Sequence, residues 1–414
     1  MPKVSPFRGV VYNCGKVSGS EVVAPPYDVI SPEYKEVLYG KSPYNIVRID
    51  FGKERPDDDA ASNKYSRAKD LLEQWMRDGI LIQDDTPAFY ACEIDYSDKG
   101  QEKILRGIFG LVKVAELGDG VYPHEMTRSK PKADRLDLMR HCMSNLSPIY
   151  AIYRSPDRVT SKLLESLSGE PYFEAEDEDS AVHKLFRISD PAETASISQE
   201  LSNRALFIAD GHHRYEVALE FKKEMDLKTA RSDDKPQPWD YVLMFLANME
   251  DEGITILPTH RLAKGIADRD SILDKLKADF ELKEAPLDAD IAAEILDEGD
   301  HAFGLYFDTD RKWHILKYLG GKLKDVHPAL NNLDVVVLHE LILKRDLGVT
   351  EVAYEMDVAE AMKKVHNGDF DAVFLLNPTG VNDIERVASA NLRMPPKSTY
   401  FYPKLLTGMV INKF

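Results

Sequence analysis

The segment from Ala205 to Lys223 constrains the fold more than any other part of the sequence. Residues 205–210 form a short apolar run typical of a buried strand, and Gly211 interrupts it. After the glycine, apolar residues recur at the spacing of one face of a helix. The sequence therefore predicts a strand, a tight turn and a helix, which is a building unit of α/β proteins.

The turn of this unit concentrates groups that bind phosphate: Asp210, Gly211, His212, His213 and Arg214. Anions bind at a helix start, because its N–H groups and dipole are positive there. The glycine permits close approach of a ligand, and the histidines and arginine supply donors. The aspartate is predicted to hold a metal ion or take a proton. A histidine pair alone is more often plain surface sequence, but five such residues at a strand end favour a site.

Length and composition predict several lobes of ordinary globular type. A chain of 414 residues exceeds the size at which one core stops growing, about 250–300 residues. We predict an α+β or mixed α/β fold with an N-terminal lobe over 1–144, a core over 145–265 and a C-terminal lobe over 266–414. The aromatic-rich tail after Met394 is expected to pack back on the core, because exposed aromatic clusters are costly.

Local patterns predict most elements of these lobes. A helix is expected over 58–79 and a hairpin over 88–115, whereas the alternation in 45–51 indicates a strand. The charge-rich segment 268–298 is typical of two surface helices.

Charge and cysteine content exclude some classes of protein. The formal net charge of −18 argues against a general nucleic-acid binder, since phosphate neutralisation supplies most of that affinity. Three scattered cysteines form no CxxC pair, which indicates no thiolate zinc site and favours the cytoplasm. No signal peptide or membrane-spanning segment is expected.

The run Ala209-Asp210-Gly211-His212-His213-Arg214-Tyr215-Glu216 resembles the hallmark of the ParB/sulfiredoxin-like superfamily, in the version found in free-serine kinases. The resemblance implies that this turn holds nucleotide phosphates and that residues 145–265 form a ParB/sulfiredoxin-like core. Sulfiredoxins carry a catalytic cysteine where His212 stands, so sulfinic-acid reduction is excluded. The acidic charge also disfavours the DNA-binding role of ParB proteins.

The chain as a whole resembles domain-of-unknown-function family 1015. The matching segments span nearly its full length: Ala24 to Ser31, His124 to Thr127, Ala209 to Glu216, Pro258 to Arg261 and Met394 to Thr399. This resemblance by itself indicates neither a reaction nor a ligand.

A second polar run, from His124 to Arg135, mixes acids and bases. It lacks the second histidine of a zinc-protease HExxH motif. We predict His124 and Glu125 as catalytic residues, with Glu125 a general base or metal ligand, and Arg128 and Lys132 as phosphate ligands. The alternative is a salt-bridged helix face.

Five further residues are predicted to contact ligands. Tyr27 and Asp28 follow a rigid proline pair and are expected to contact the substrate, as are His260 and Arg261 at a strand end. Lys397 in the tail is expected to close over a phosphate, with Ser398 and Lys404 as further candidates in the same segment. For Tyr27 with Asp28 and for His260 with Arg261, the alternative is an ordinary structural role. For Lys397 the alternative is a solvated C-terminus.

Together these features predict a small-molecule kinase that uses ATP or ADP and Mg²⁺ to phosphorylate a hydroxyl group. The motif resemblance implies free L-serine as acceptor and O-phosphoserine as product. The alternatives are a nucleotide-binding switch that phosphorylates no acceptor, and a phosphodiesterase or nuclease. Neither nucleic acid nor a membrane is expected as a partner, and the sequence leaves the oligomeric state open.

Overall fold

The structure, a computed structural model, describes residues 2–126, 129–229, 235–266, 268–288, 290–349 and 352–414, with residues 129–131 described by their backbone only. Contacts divide the chain into two compact units. The first contains residues 1–123, 127–255 and 403–414, and the second contains residues 124–126 and 256–402. The chain changes from the first unit to the second between Thr255 and Ile256. The three lobes predicted from the sequence stay a prediction.

Helices and strands both contribute to the described part of the chain, which confirms the predicted mixed α/β class. The helices are α1 (Gly19–Val22), α2 (Pro32–Lys41), α3 (Val47–Asp50), α4 (Lys64–Arg77), α5 (Ser129–Cys142), α6 (Val159–Glu165), α7 (Pro191–Leu201), α8 (His212–Lys228), α9 (Arg269–Leu276), α10 (Ile291–Asp297), α11 (Pro328–Asn331), α12 (Asp334–Val337), α13 (Val358–His366) and α14 (Val381–Ser389). Short 3-10 helices cover Tyr27–Val29 and Pro238–Asp240, and a π-helix covers Leu338–Asp346.

The strands, in chain order, are β1 (Val4–Ser5), β2 (Val10–Tyr12), β3 (Leu81–Gln83), β4 (Phe89–Asp98), β5 (Gln101–Lys113), β6 (Val121–Tyr122), β7 (Ser144–Asn145), β8 (Ile149–Tyr153), β9 (Phe173–Glu176), β10 (Val182–Ile188), β11 (Leu206–Asp210), β12 (Tyr241–Asn248), β13 (Thr255–Leu257), β14 (His260–Ala263), β15 (Phe280–Pro286), β16 (Ala302–Tyr306), β17 (Lys312–Tyr318), β18 (Val352–Glu355), β19 (Ala372–Leu376), β20 (Tyr400–Tyr402) and β21 (Asn412–Lys413).

The first unit is built on a mixed sheet in the order β6-β11-β8-β12-β5-β4-β10-β9, with β1 also paired to β5. Strand β11 runs parallel to β6 and antiparallel to β8, and β8 runs parallel to β12. Its core buries apolar residues from these strands and from α7 and α8, including Ile108, Ile149, Ile197, Leu206, Ile208, Tyr215 and Met244. The sheet thereby fixes where β11 ends and α8 begins.

The hairpin predicted over 88–115 is present. Strands β4 and β5 pair from Tyr90–Phe109 to Asp98–Gln101. Lys99 and Gly100 both have positive φ, 51° and 77°, as a two-residue hairpin turn of the primed type requires.

The strand predicted over 45–51 is wrong, since residues Val47–Asp50 form the short helix α3. Asn45 is fully buried, and its side chain accepts from the Val47 N–H at 3.0 Å. Its amide donates to the carbonyls of Glu21 and Val23 at 2.8 and 2.9 Å. These bonds turn the chain into a helix, although the apolar pattern alternates.

The second unit is built on an antiparallel sheet in the order β15-β17-β16-β19-β14-β18. One face packs against α10 and α13 through Leu262, Ile291, Ile295, Ala361, Val365, Val373 and Leu375. The prediction of two helices over 268–298 is incomplete: α9 and α10 are present, but edge strand β15 lies between them. Charged side chains are frequent on edge strands, because they prevent pairing with other chains.

Candidate functional site

The predicted strand, turn and helix are present in the first unit. Strand β11 ends at Asp210, Gly211 has a φ of 90°, and the seventeen-residue helix α8 begins at His212. The pairing of β11 with β8 is irregular between Ile208 and Asp210, which re-aims the end of the strand. A Cβ on residue 211 would lie 2.9 Å from Arg214 Nε, so the position requires a residue without a side chain.

Asp210 lies between two cations. Arg214 Nη2 donates to Asp210 Oδ2 at 2.6 Å, and Lys404 Nζ lies 3.5 Å from Asp210 Oδ1. Arg214 also donates to the carbonyl oxygen of Pro148, just before β8. The C-terminal tail therefore contributes a charge to the predicted turn, and two positive side chains meet one carboxylate there.

Helix α8 presents its positive end at this cluster. A helix leaves its first N–H groups without partners inside the helix, and its dipole makes that end positive. His212 is buried and His213 is partly exposed. Tyr215 fixes the helix start, because its hydroxyl donates to the Ala115 carbonyl at 2.8 Å and accepts from the Ala115 N–H at 3.1 Å. Such an arrangement suits an anion.

A buried ion-pair network lies nearby in the same unit. The guanidinium of Arg135 donates to the Asp50 carbonyl at 2.7 Å and to Asp134 Oδ2 at 2.6 Å from Nη2, and its Nη1 lies 3.3 Å from Asp50 Oδ1. The same guanidinium lies 4.2 Å from the centre of the Tyr27 ring. Burial, and then the charge of Asp28, raise the pKa of Tyr27 to about 12. Tyr27 is therefore a neutral hydroxyl at physiological pH, and Asp28 beside it is exposed.

A cavity of about 40 Å³ connects the two groups of charges, since both Arg135 and Arg214 line it. Its other polar lining residues are Asp50, Ser144, Asn145 and Ser147, and Ser147 Oγ donates to Asp50 Oδ1 at 3.1 Å. A space of this size holds a few water molecules.

Of the two predicted phosphate ligands Arg128 and Lys132, only Lys132 belongs to the described residues. Arg128 lies outside the described residues, as does Thr127. Lys132 lies on α5, and its Nζ donates to Glu216 Oε2 on α8 at 2.8 Å. In this structure the lysine joins two helices.

His124, Glu125 and Lys397 come together in the second unit. His124 is fully buried and its Nε2 lies 2.9 Å from Thr399 Oγ1. Glu125 Oε1 accepts from the Lys397 N–H at 2.7 Å, and Glu125 forms a parallel bridge with Met394. The His124–Glu125 segment and the tail, two of the segments that carried the family resemblance, thus contact each other.

His260 and Arg261, predicted together as substrate ligands, are consecutive residues of β14 and point to opposite faces of the sheet. Burial, and then the charge of Arg261, lower the pKa of His260 to about 4. Neither of its ring nitrogens has a hydrogen-bond partner among the described residues. Arg261 is buried and donates to the carbonyls of Thr259 and Lys397.

Sequence reasoning missed Asp50, did not select Arg135 as a site residue, and named Lys404 only as a further candidate phosphate ligand in the tail. Arg135 stood in a run of acids and bases, and Lys404 in a run of aromatics and prolines. Asp50 ended the segment mistaken for a strand. Nothing in the local sequence links these three residues, because the contacts join positions that are far apart in the chain.

Within the described ranges, no group of three or more histidines, cysteines or carboxylates is placed to hold a metal ion. A metal at Asp210 would therefore need ligands from a bound substrate. None of the helices in the same ranges combines the length and the apolar character that crossing a bilayer demands.

Comparison with known proteins gives one family and several distant structural likenesses. The family model described as a protein of unknown function, DUF1015, matches residues 4–336. No curated protein matches the chain.

Among solved structures, a conserved hypothetical protein from Pyrococcus furiosus is 17% identical, with 72% of this chain and 92% of that chain covered and a TM-score of 0.36. A free serine kinase in complex with AMP is 16% identical, with coverages of 71% and 86% and a TM-score of 0.37. A C-terminally truncated SbnI from Staphylococcus aureus is 12% identical, with coverages of 72% and 85% and a TM-score of 0.36. At these TM-scores the likenesses carry no argument about function.

The family match is of a different kind, because it extends over most of the chain and includes the Asp210 turn, the His124–Glu125 segment and β14. The predicted family resemblance is confirmed: the chain belongs to the DUF1015 family.

Proposed function

We propose that this protein is a nucleotide-dependent kinase that phosphorylates a hydroxyl group of a small molecule. The observation that carries the proposal is the placement of Asp210 between Arg214 and Lys404 at the start of α8. Phosphoryl transfer requires little covalent chemistry from the protein, and catalysis is mostly positioning and neutralisation of charge. The Asp210 turn supplies the groups for both.

The roles follow from the chemistry of each group. Phosphate oxygens bind at Gly211 and the first turn of α8, where His212, His213 and Arg214 donate. Lys404 adds a second positive charge. Asp210 then exchanges its contacts with the two cations for Mg²⁺ or for the acceptor hydroxyl.

Mg²⁺ fits this turn as an ion that arrives with the nucleotide. It commonly keeps several waters and binds one or two carboxylates together with substrate phosphates. Asp210 supplies one such carboxylate, in agreement with the lack of a multi-ligand cluster among the described residues.

Five of the other predicted residues keep their roles as part of the proposal. Glu125 is the general base with His124 beside it, and Lys397 is a phosphate ligand. Tyr27 and Asp28 contact the acceptor. Burial of Tyr27 and its contact with Arg135 support a fixed hydroxyl donor at that position.

L-serine is the first acceptor to test, because the Asp210 turn resembles that of free-serine kinases. In the reaction, the serine hydroxyl oxygen attacks the terminal phosphorus of the nucleotide and its proton is released. ADP leaves when the donor is ATP, and AMP leaves when the donor is ADP. Incubation of the purified chain with Mg²⁺, L-serine and either nucleotide should give O-phosphoserine, detected by ³¹P NMR. If neither serine nor a panel of other hydroxyl compounds consumes ATP, ADP or CTP, the kinase proposal is wrong.

Replacement of the site carboxylate provides the direct test of its role. Asp210→Asn should lower kcat by about 10²-fold or more, because it removes a charge that phosphoryl transfer needs. Nucleotide binding should stay largely intact, because the groups that donate hydrogen bonds to the phosphates remain. Turnover and nucleotide affinity are measured separately. Asp95→Asn is the matched control, since Asp95 pairs with Lys184 at 2.5 Å on β4 and β10. Unchanged turnover in Asp210→Asn would remove this residue from the mechanism.

A second function, a nucleotide-binding switch, is favoured by one observation. Both Arg214 and Lys404 contact Asp210, so a bound phosphate would compete for them and release the tail residue. A switch predicts that nucleotides raise the melting temperature by mass action while no acceptor is phosphorylated. A thermal-shift panel of nucleotides, read together with the product assay, separates the two functions.

A further inference from the structure

Arg261 is a buried cation that forms no ion pair with any of the described residues. It is only 3% exposed, and within the described residues no carboxylate oxygen lies within 4.0 Å of its guanidinium. A guanidinium has five N–H groups. Two of them donate, to the carbonyls of Thr259 and Lys397, and the aromatic ring of Tyr354 lies 4.8 Å away. Buried charges in proteins are normally paired, so this arrangement needs an explanation.

A second unsatisfied group belongs to Thr259, whose carbonyl oxygen accepts from Arg261. The hydroxyl of Thr259 is buried, with a residue exposure of 4%, and has no hydrogen-bond partner in the described part of the chain. Because Arg261 donates to the carbonyl oxygen of Thr259, its guanidinium lies beside this residue. An unpaired buried hydroxyl destabilises the fold, and such groups often mark the place of a ligand or water.

His339 adds a third polar group near Arg261. Burial lowers the pKa of His339; Glu340 opposes this, and the charges of Arg261 and Lys344 lower the pKa further. His339 lies on the nine-residue π-helix Leu338–Asp346. Backbone of this type is rare and frequently occurs at functional sites.

The tail segment beside Arg261 is held in an unusual conformation. Lys397 has a φ of 58°, its carbonyl accepts from Arg261, and its N–H donates to Glu125. A non-glycine residue in this region is uncommon and is retained where surrounding contacts over-determine it. One carboxylate oxygen of Glu125 thus binds the tail backbone. Burial lowers the pKa of Arg261 to about 10, and the charges of Tyr354 and then Glu125 oppose this only in part.

We propose that Arg261 and Thr259 form an oxyanion-binding site in the second unit, which receives a carboxylate or phosphate group of a small ligand, and that His339 senses the charge of this group. The free N–H groups of Arg261 form a bidentate contact with two oxygens, as guanidinium groups do with carboxylates and phosphates. Thr259 donates its hydroxyl to the same group, and the negative charge of the group acts on His339. This site does not depend on the proposed phosphoryl transfer at Asp210, so the proposal holds even if the chain transfers no phosphate.

Titration of His339 by NMR in the full-length protein tests the site directly. Inorganic phosphate is added in one arm, acetate in a second and L-serine in a third. A bound oxyanion should raise the pKa of His339, because negative charge stabilises the imidazolium form. His339→Gln assigns the signal, and exposed His366 provides a signal that should not respond. The arm that responds at the lowest concentration identifies the oxyanion.

Two variants separate binding from a purely structural role. Thr259→Val keeps the shape of the side chain and breaks no existing hydrogen bond of the hydroxyl, so it should fold normally and bind about tenfold more weakly. Arg261→Gln should abolish the response. Asp210→Asn should retain it, which distinguishes failure of this site from failure of the proposed kinase activity.

Two results would overturn the proposal. One is an unchanged His339 titration in all three arms up to about 10 mM, a concentration that occupies roughly nine-tenths of the sites for a Kd of about 1 mM. The other is an equal response in the wild type, Thr259→Val and Arg261→Gln.

Discussion

Single residues in the candidate site mostly neutralise one another before any ligand arrives. Arg214 and Lys404 contact Asp210, Arg135 contacts Asp50 and Asp134, and Lys132 contacts Glu216. The residue types were predictable, because phosphate chemistry calls for arginine, lysine and aspartate. Their partners were not, because an ion pair depends on which distant residues the fold brings within about 4 Å.

Asp134 allows a test of the ion-pair network through pH. Burial alone would raise its pKa, but Arg135 and Lys64 lower it to about 2. A carboxylate with a lowered pKa stabilises the fold above its unfolded pKa of about 4, and that stability is lost as the pH falls from about 4 to 2. Asp134→Asn should therefore cost about 2 kcal/mol at pH 7 and progressively less below pH 4, measured by urea unfolding.

Asp137→Asn is the control for this prediction. Asp137 lies on the same helix, and its ion pair with Arg140 at 2.7 Å is exposed, so the cost should be below about 1 kcal/mol. Equal costs for both variants at pH 7 and at pH 3 would contradict the assigned role of Asp134.

At the scale of elements, the turn between β11 and α8 depends on one backbone conformation. Gly211→Ala should destabilise the fold by about 1–2 kcal/mol, because an L-residue is strained at positive φ. It should also weaken nucleotide binding, because the new Cβ displaces the Arg214 guanidinium. Melting curves with and without nucleotide measure both effects.

Gly100→Ala is the matched control for the turn. Gly100 also has positive φ, but an added Cβ would meet nothing within 4 Å. This variant should lose stability but bind nucleotide as the wild type does. If both variants bind nucleotide as the wild type does, the Gly211 turn is not the phosphate site.

The short helix α3 shows how one side chain overrides a hydrophobic pattern. Asn45→Ala removes three hydrogen bonds in a fully buried position and leaves two carbonyls and one N–H unpaired. We expect a loss of about 3 kcal/mol in the free energy of unfolding, measured with urea. Asn203→Ala, which removes one exposed bond to the Gln199 carbonyl, should change it by less than about 0.5 kcal/mol. Similar losses in the two variants would contradict the role of Asn45 in forming α3.

At the scale of the whole molecule, the net charge of −18 separates the proposed functions. An acidic chain repels the phosphate backbone, so we expect no retardation of plasmid DNA in gel-shift assays near 0.15 M salt. Incubation of supercoiled plasmid with the chain and Mg²⁺ should also leave it intact. Nicking that disappears in Asp210→Asn would instead favour the phosphodiesterase or nuclease alternative.

The sequence by itself determined the local units of this protein. The β11 strand, its glycine turn and helix α8 were predictable, because apolar periodicity and the conformational freedom of glycine are properties of neighbouring residues. The β4–β5 hairpin was predictable for the same reason. The family resemblance also came from short segments, each of which can be recognised without knowledge of the fold.

Only the tertiary structure decided which of these segments share a site. It brought Lys404 of the tail to Asp210, made a helix of the alternating 45–51 segment, and placed His260 and Arg261 on opposite faces of β14. It also left the Arg261 guanidinium buried without a carboxylate among the described residues. The physical reason is that ion pairing and burial depend on distance in space, whereas the sequence pattern records only distance along the chain.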